Sequence, residues 1–122
     1  MQVRAANNQT MVAIDTDSTT IWTDPMSVGG ANKAEVACMA HSLFSAGGSP
    51  TLTWYIEGSN DGTNWFAVDN DPVTGPTTTP QNKEVSFSCA FVRFKFTLVS
   101  SGGSGGQITA GCFDIHANFT HT

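Results

Sequence analysis

Charge is what this sequence has least of. Asp, Glu, Lys and Arg make up 12% of its 122 residues, against about 25% in an average soluble domain. Five Lys and Arg stand against ten Asp and Glu, leaving a net charge of −5. Five scattered cations neutralise too few phosphates to hold a nucleic acid, which excludes that class of partner. Long amphipathic helices draw on Glu, Lys, Arg and Leu, all scarce here, so an all-β chain is the expectation. No run of 18 apolar residues is present to cross a membrane as a helix. The start, Met1-Gln2-Val3-Arg4-Ala5-Ala6-Asn7-Asn8, lacks the apolar segment of a secretory signal. Cys38, Cys89 and Cys112 are odd in number and have no CxxC spacing. Set in apolar strand patterns, they read as buried free thiols of a chain folded in a reducing cytosol. GxSxG, HExxH and P-loop signatures are absent, and the expectation is a non-enzymatic protein.

What is present is Thr, Ser, Asn, 12 Gly and strict alternation. A 12.9 kDa chain fits one domain exposing roughly 6,300 Å². Residues 1–9 are polar and read as an N-terminal arm or a first edge strand, ahead of a single domain over 10–122. Thr10–Ile14 and Thr19–Thr23 read as short strands around the turn Asp15-Thr16-Asp17-Ser18. Glu35–Phe44 reads as a longer strand, with a short helix at 34–40 as the alternative. Gly47-Gly48-Ser49-Pro50 ends it. In Thr51–Gly58, Leu52, Trp54 and Ile56 share one face, while Thr53, Tyr55 and Glu57 share the other. Asp61-Gly62 supplies the positive φ of a hairpin turn, and Trp65–Asp69 returns. Asn70–Asn82, with three prolines, reads as a long contact loop. Val85, Phe87 and Cys89 point inward, as do Val92, Phe94, Phe96 and Leu98. After a tip at Ser100–Gly106, Phe113, Ile115, Ala117 and Phe119 line the inner face of the closing strand. About eight short strands suit a two-sheet antiparallel sandwich of jelly-roll type.

The segment Trp54-Tyr55-Ile56-Glu57-Gly58-Ser59-Asn60-Asp61-Gly62-Thr63-Asn64-Trp65 resembles the hairpin of discoidin-like (factor 5/8 C-type) jelly rolls. Phe91-Val92-Arg93-Phe94-Lys95-Phe96 and a closing strand then follow, as in that family. Small virion proteins of tailed phages resemble the same pattern. The N-terminal third is shorter than in lectin-like members and lacks recognisable paired cysteines. The resemblance therefore implies a phage virion structural protein, made in the host cytoplasm. A capsid decoration or cement protein is the first form, a tail or fibre component a variant, and a carbohydrate-binding module the alternative. A low-charge surface suits packing against like subunits, with a homo-oligomer, a trimer first, as the expected state.

Several residues are candidates for chemistry. Trp54 and Trp65 read as core packing across neighbouring strands, with sugar stacking on Trp65 as the alternative. Asp61 and Gly62 read as structural. Cys112, Asp114 and His116 alternate on one face of the last strand. His41 or His121 could add a metal ligand there, although a solvated or interface strand is the plainer reading. Asp69 and Asp71 offer weak calcium ligands, and no bound cofactor is implied. Glu35, Glu57 and Asp114 are the carboxylates that a spatial pair would need. Arg4, Asn7, Asn8, Thr77, Thr78 and Thr79 are the candidate contact residues for capsid or other virion partners.

Overall fold

A computed structural model describes residues 1–14, 18–46, 48–101 and 108–122. Its accessible surface is 6193 Å², close to what this mass exposes when compact. The strands are β1 (Gln2–Ile14), β2 (Thr19–Trp22), β3 (Met26–Ser27), β4 (Lys33–Ser45), β5 (Ser49–Ser59), β6 (Phe66–Val73), β7 (Gln81–Ser86), β8 (Phe91–Ser101) and β9 (Ile108–Thr120). They form two antiparallel sheets, β1-β9-β4-β7 and β2-β8-β5-β6, with β3 also pairing to β8. With the two-residue β3 set aside, every consecutive pair of strands except the β5–β6 hairpin swaps between sheets, in the order of a jelly roll.

The two inner faces differ in size and fit each other. The first sheet contributes small side chains, Ala6, Ala13, Ala34, Val36, Cys38 and Ala40, together with Phe113 and Ile115. The second contributes Leu52, Trp54, Ile56, Phe94, Phe96 and Leu98. Large residues on one face against small ones on the other let the two layers interdigitate. Phe96 meets Phe113 edge-on across the layers at 5.0 Å between centroids. Toward one end a hydroxyl chain links three strands: Thr109 Oγ1 donates to Ser45 Oγ at 3.0 Å, and Ser45 Oγ meets Ser100 Oγ at 2.8 Å.

Several local expectations resolve against these strands. Alternating burial of Ala34, Val36, Cys38 and Ala40 makes 34–40 strand rather than helix. Residues 1–9 take the edge-strand form and not that of a free arm. Gln2, Val3 and Arg4 pair with Asn118, Ala117 and His116, and the boundary at residue 9 falls inside β1. The Met1 amino group also donates to Phe119 O at 2.8 Å. The proposed loop 70–82 shrinks, because Asn70–Val73 completes β6 and Gln81 and Asn82 begin β7. Ser100 and Ser101 belong to β8 rather than to a tip. The rest of that tip, and the turns at 15–17 and 47, lie outside the described residues.

Candidate interaction surfaces

The turn after β5 is a self-contained hydrogen-bonded knot. Asp61 Oδ1 accepts from Thr63 N and Asn64 N, each at 2.8 Å, and Asp61 Oδ2 accepts from Asn64 Nδ2 at 2.7 Å. Ser59 Oγ donates to Asp61 at 3.0 Å and accepts from Gly62 N at 2.9 Å. The Asn64 amide, then that of Thr63, holds the Asp61 carboxyl well below the usual carboxylate range. Gly62 sits at φ +78°, where a side chain is strained. Gly58 has a second reason to be glycine: a Cβ there would lie 2.8 Å from Cys89 Sγ and 3.1 Å from the Phe66 ring. The motif builds the turn.

The two tryptophans beside the turn part company. Trp54 is 1% exposed, with an Nε1 that finds no partner among the described residues. Trp65 is not in the core. It lies on the outer face of the second sheet, with the Arg93 guanidinium carbon 4.3 Å from its ring centroid.

That outer face carries an aromatic and cationic array. Cross-strand register aligns Trp22, Lys95 and Tyr55 in one row, and Arg93 and Glu57 in the next. Arg93 Nε donates to Glu57 Oε1 at 2.8 Å, and Lys95 Nζ stands 4.0 Å from Glu57 Oε2. The Arg93 guanidinium lies 5.9 Å from the Trp22 ring, and Lys95 Nζ lies 4.1 Å from that of Tyr55. Glu57 and the rings thus fix two of the chain's five cations in place. Trp22 remains 53% exposed. Trp, Tyr and Arg are the residues that dominate binding energy at protein interfaces. Sequence reading set Tyr55 and Glu57 on the face opposite Trp54, and its inward Val92, Phe94, Phe96 and Leu98 leave Arg93 and Lys95 facing out. It missed Trp22 and the array, because only the β2–β8–β5 register brings them together.

The outer face of the first sheet is polar at one end. Asp114 Oδ1 accepts from Asn8 N, and Asp114 Oδ2 meets His41 Nε2 at 2.7 Å. The Asn8 amide, then His41, holds the Asp114 carboxyl below its ordinary value. Asn8 occupies φ 47° at an irregularity in the β1–β9 pairing, so Asp114 steadies a bulge. Arg4 Nη1 donates to Asn7 Oδ1 at 3.3 Å. A shallow depression lined by Arg4, Glu35, Ala37, Asn82 and His116 lies alongside. Cys112, Asp114 and His116 do share this face, but no group of three or more His, Cys, Asp or Glu among the described residues is placed to hold a metal. His121 lies elsewhere, beside Met1 and Ser27. Glu57, on the opposite sheet, cannot pair with Glu35 or Asp114.

Two further candidates make hydrogen bonds within the fold. Asp69 accepts from Lys83 Nζ at 2.9 Å and from Asn70 N at 2.8 Å. Lys83 Nζ also donates to Asn70 O at 2.7 Å, so the lysine bridges the edges of the two sheets. Burial works against ionisation of Asp69, but the Lys83 and Asn70 hydrogen bonds and the Lys83 charge lower its pKa on balance. In the Thr run, Thr77 is committed to the fold. Its amide donates to Ala40 O, and its hydroxyl accepts from Ala40 N, both at 2.9 Å. Thr78 and Thr79 remain exposed.

No family model matches the chain, and no curated protein sequence matches it. The discoidin-like resemblance therefore stays at the level of a motif. Solved structures do match. The PBSX exported protein XepA superposes with a TM-score of 0.61 at 14% identity, over 100% of this chain and 37% of that one. The VP2 subviral particle of infectious bursal disease virus gives a TM-score of 0.59 at 16% identity, over 99% of this chain and 32% of that one. The chain thus spans about a third of the length of these structures. At such identities the likeness establishes the fold, a β-sandwich shared with viral and phage proteins.

Proposed function

We propose that this chain is a non-enzymatic structural protein of a phage virion, made in the host cytoplasm, which coats the capsid as a decoration or cement protein. The observation that carries the reading is the end-to-end match of its jelly roll to a phage exported protein and a viral capsid protein. The chemistry of the surface agrees with it. The described residues present a preorganised Trp22–Arg93–Trp65 array and no catalytic cluster. The array is the anchor on a capsid subunit. Arg93 and Lys95 are already held by rings and by Glu57, so little side-chain freedom is lost on docking. Repeated weak contacts from several copies would then add through avidity.

The test is co-sedimentation with bare particles of the virus that encodes the chain, alongside a glycan array. Wild type should pellet with particles. A Trp22→Ala, Arg93→Ala double variant should pellet far less while keeping its β spectrum. Sugar binding without sedimentation would instead support the carbohydrate module, for which the exposed Trp22 ring is a favourable feature.

A further inference from the structure

The far end of the first sheet's outer face carries a patch of a different kind. Cross-strand register places Val12, Ala110 and Phe44 in one row, with Ile14 and Ile108 in the next. Their inner-face neighbours Met11, Ala13 and Leu43 are buried, so these side chains point away from the core. Phe44 is 57% exposed, Ile14 60%, Ile108 51% and Val12 47%. None of the described residues in these rows is charged, nor are Thr10, Cys112 and Ser42 in the row before them. The face is therefore sorted: Arg4, Glu35, His116 and Asp114 crowd one end, and aliphatic and aromatic groups gather at the other. The apolar end exposes on the order of 400 Å², the scale at which an exposed patch marks an interaction site. That is about half of the roughly 800 Å² each partner gives to a stable interface, enough for its centre.

We infer that this patch is covered by a second copy of the same chain. Charge decides the occupant. About a two-fold axis each residue meets its own counterpart or a near neighbour of it, so a charge there faces a like charge. The chain carries −5 overall, and the second sheet's outer face would set Arg93 and Lys95 against their own copies. The apolar end is the described sheet surface on which two copies meet without that cost. It is also built of β-branched and aromatic side chains, Val12, Ile14, Ile108 and Phe44, which suits sheet-on-sheet packing like that of the core. The division of labour is then clear: one sheet faces the capsid, and the other faces its own kind.

Sedimentation velocity of the full chain, from low to high micromolar concentration, tests this directly. Wild type should sediment as a dimer. Phe44→Asp and Ile14→Asp should each weaken association by about a hundredfold, because an unpaired charge would be buried at the contact. Both positions are exposed in a single copy, so circular dichroism and melting of the dissociated variants should match those of a single wild-type subunit. Trp22→Ala should leave the oligomer unchanged. A wild-type chain that stays monomeric at high micromolar concentration overturns the inference, as do variants that associate as tightly as wild type. A monomer whose patch variants lose particle binding overturns it as well and gives the patch to the capsid. The result does not depend on the virion reading, since failure to bind particles leaves the oligomer measurement intact.

Discussion

At the scale of single residues, the two hairpin tryptophans make the sharpest contrast. Trp54→Ala empties the middle of the core and should cost roughly 3–5 kcal/mol. Trp54→Phe should cost much less, because it retains a ring and removes an indole N–H that is buried without a partner. Trp65→Ala should stay within about 1 kcal/mol, since the ring packs on Arg93 at the surface. Urea titrations of the three variants check the order, and a Trp54→Ala protein as stable as wild type would refute the core assignment. The cysteines differ in the same way. Burial, then the charges of Asp71 and Asp114, pushes the Cys38 thiol up to about 11. Cys112 lies half-buried on an outer face, which corrects the expectation that all three point inward. A thiol reagent should label Cys38 last in native protein, and all three cysteines after denaturation. Asp61, Asp69 and Asp114 all have lowered pKa values. A carboxyl with a depressed folded pKa contributes stability above its unfolded pKa, about 3.9, and loses it as pH falls through the folded value. Melting temperature should therefore hold from neutral pH down to about 5 and fall below about 4, with a shallower fall in Asp61→Asn.

At the scale of elements, what could be read from the sequence depended on how apolar the alternation was. In β8 and β9, Val92–Leu98 and Phe113–Phe119 show period 2 with bulky residues, and both inner faces were legible. In β4 the inner positions Ala34 and Ala40 are as compatible with helix as with strand, and only pairing with β7 and β9 settles them. In β1 the signal is broken twice. Register shifts between Arg4 and Ala6 and between Ala6 and Gln9 interrupt the alternation, and the outer face changes from polar at Gln2 and Arg4 to apolar at Val12 and Ile14. The candidate surfaces were harder still, because Trp22 meets Arg93, and Val12 lines up with Phe44, through pairings far apart in sequence. The sheet edges explain other polar residues. β6 carries Pro72 and a β5–β6 irregularity, and β7 carries Lys83 and Glu84, all features that discourage stray strand pairing. Deleting residues 1–9 now has a definite expected outcome. It strips β9 of half its partner and removes Ala6 from the core, so the truncated chain should melt several degrees lower. An unchanged melting temperature would show that β1 begins in effect at Thr10.

At the scale of the whole molecule, the two outer faces differ: one carries fixed cations among aromatic rings, and the other ends in an uncharged apolar patch among the described residues. The proposal that the chain is a working part of a virion can be read from quantitative mass spectrometry of gradient-purified phage particles released by cells that carry its gene. This chain should then appear in the particle band at a copy number comparable to that of the major capsid protein or a simple fraction of it. The chain should also persist through washing in moderate salt, since aromatic packing carries the contact more than exposed charge does. Particles that are infectious, complete and free of the chain would contradict the proposal.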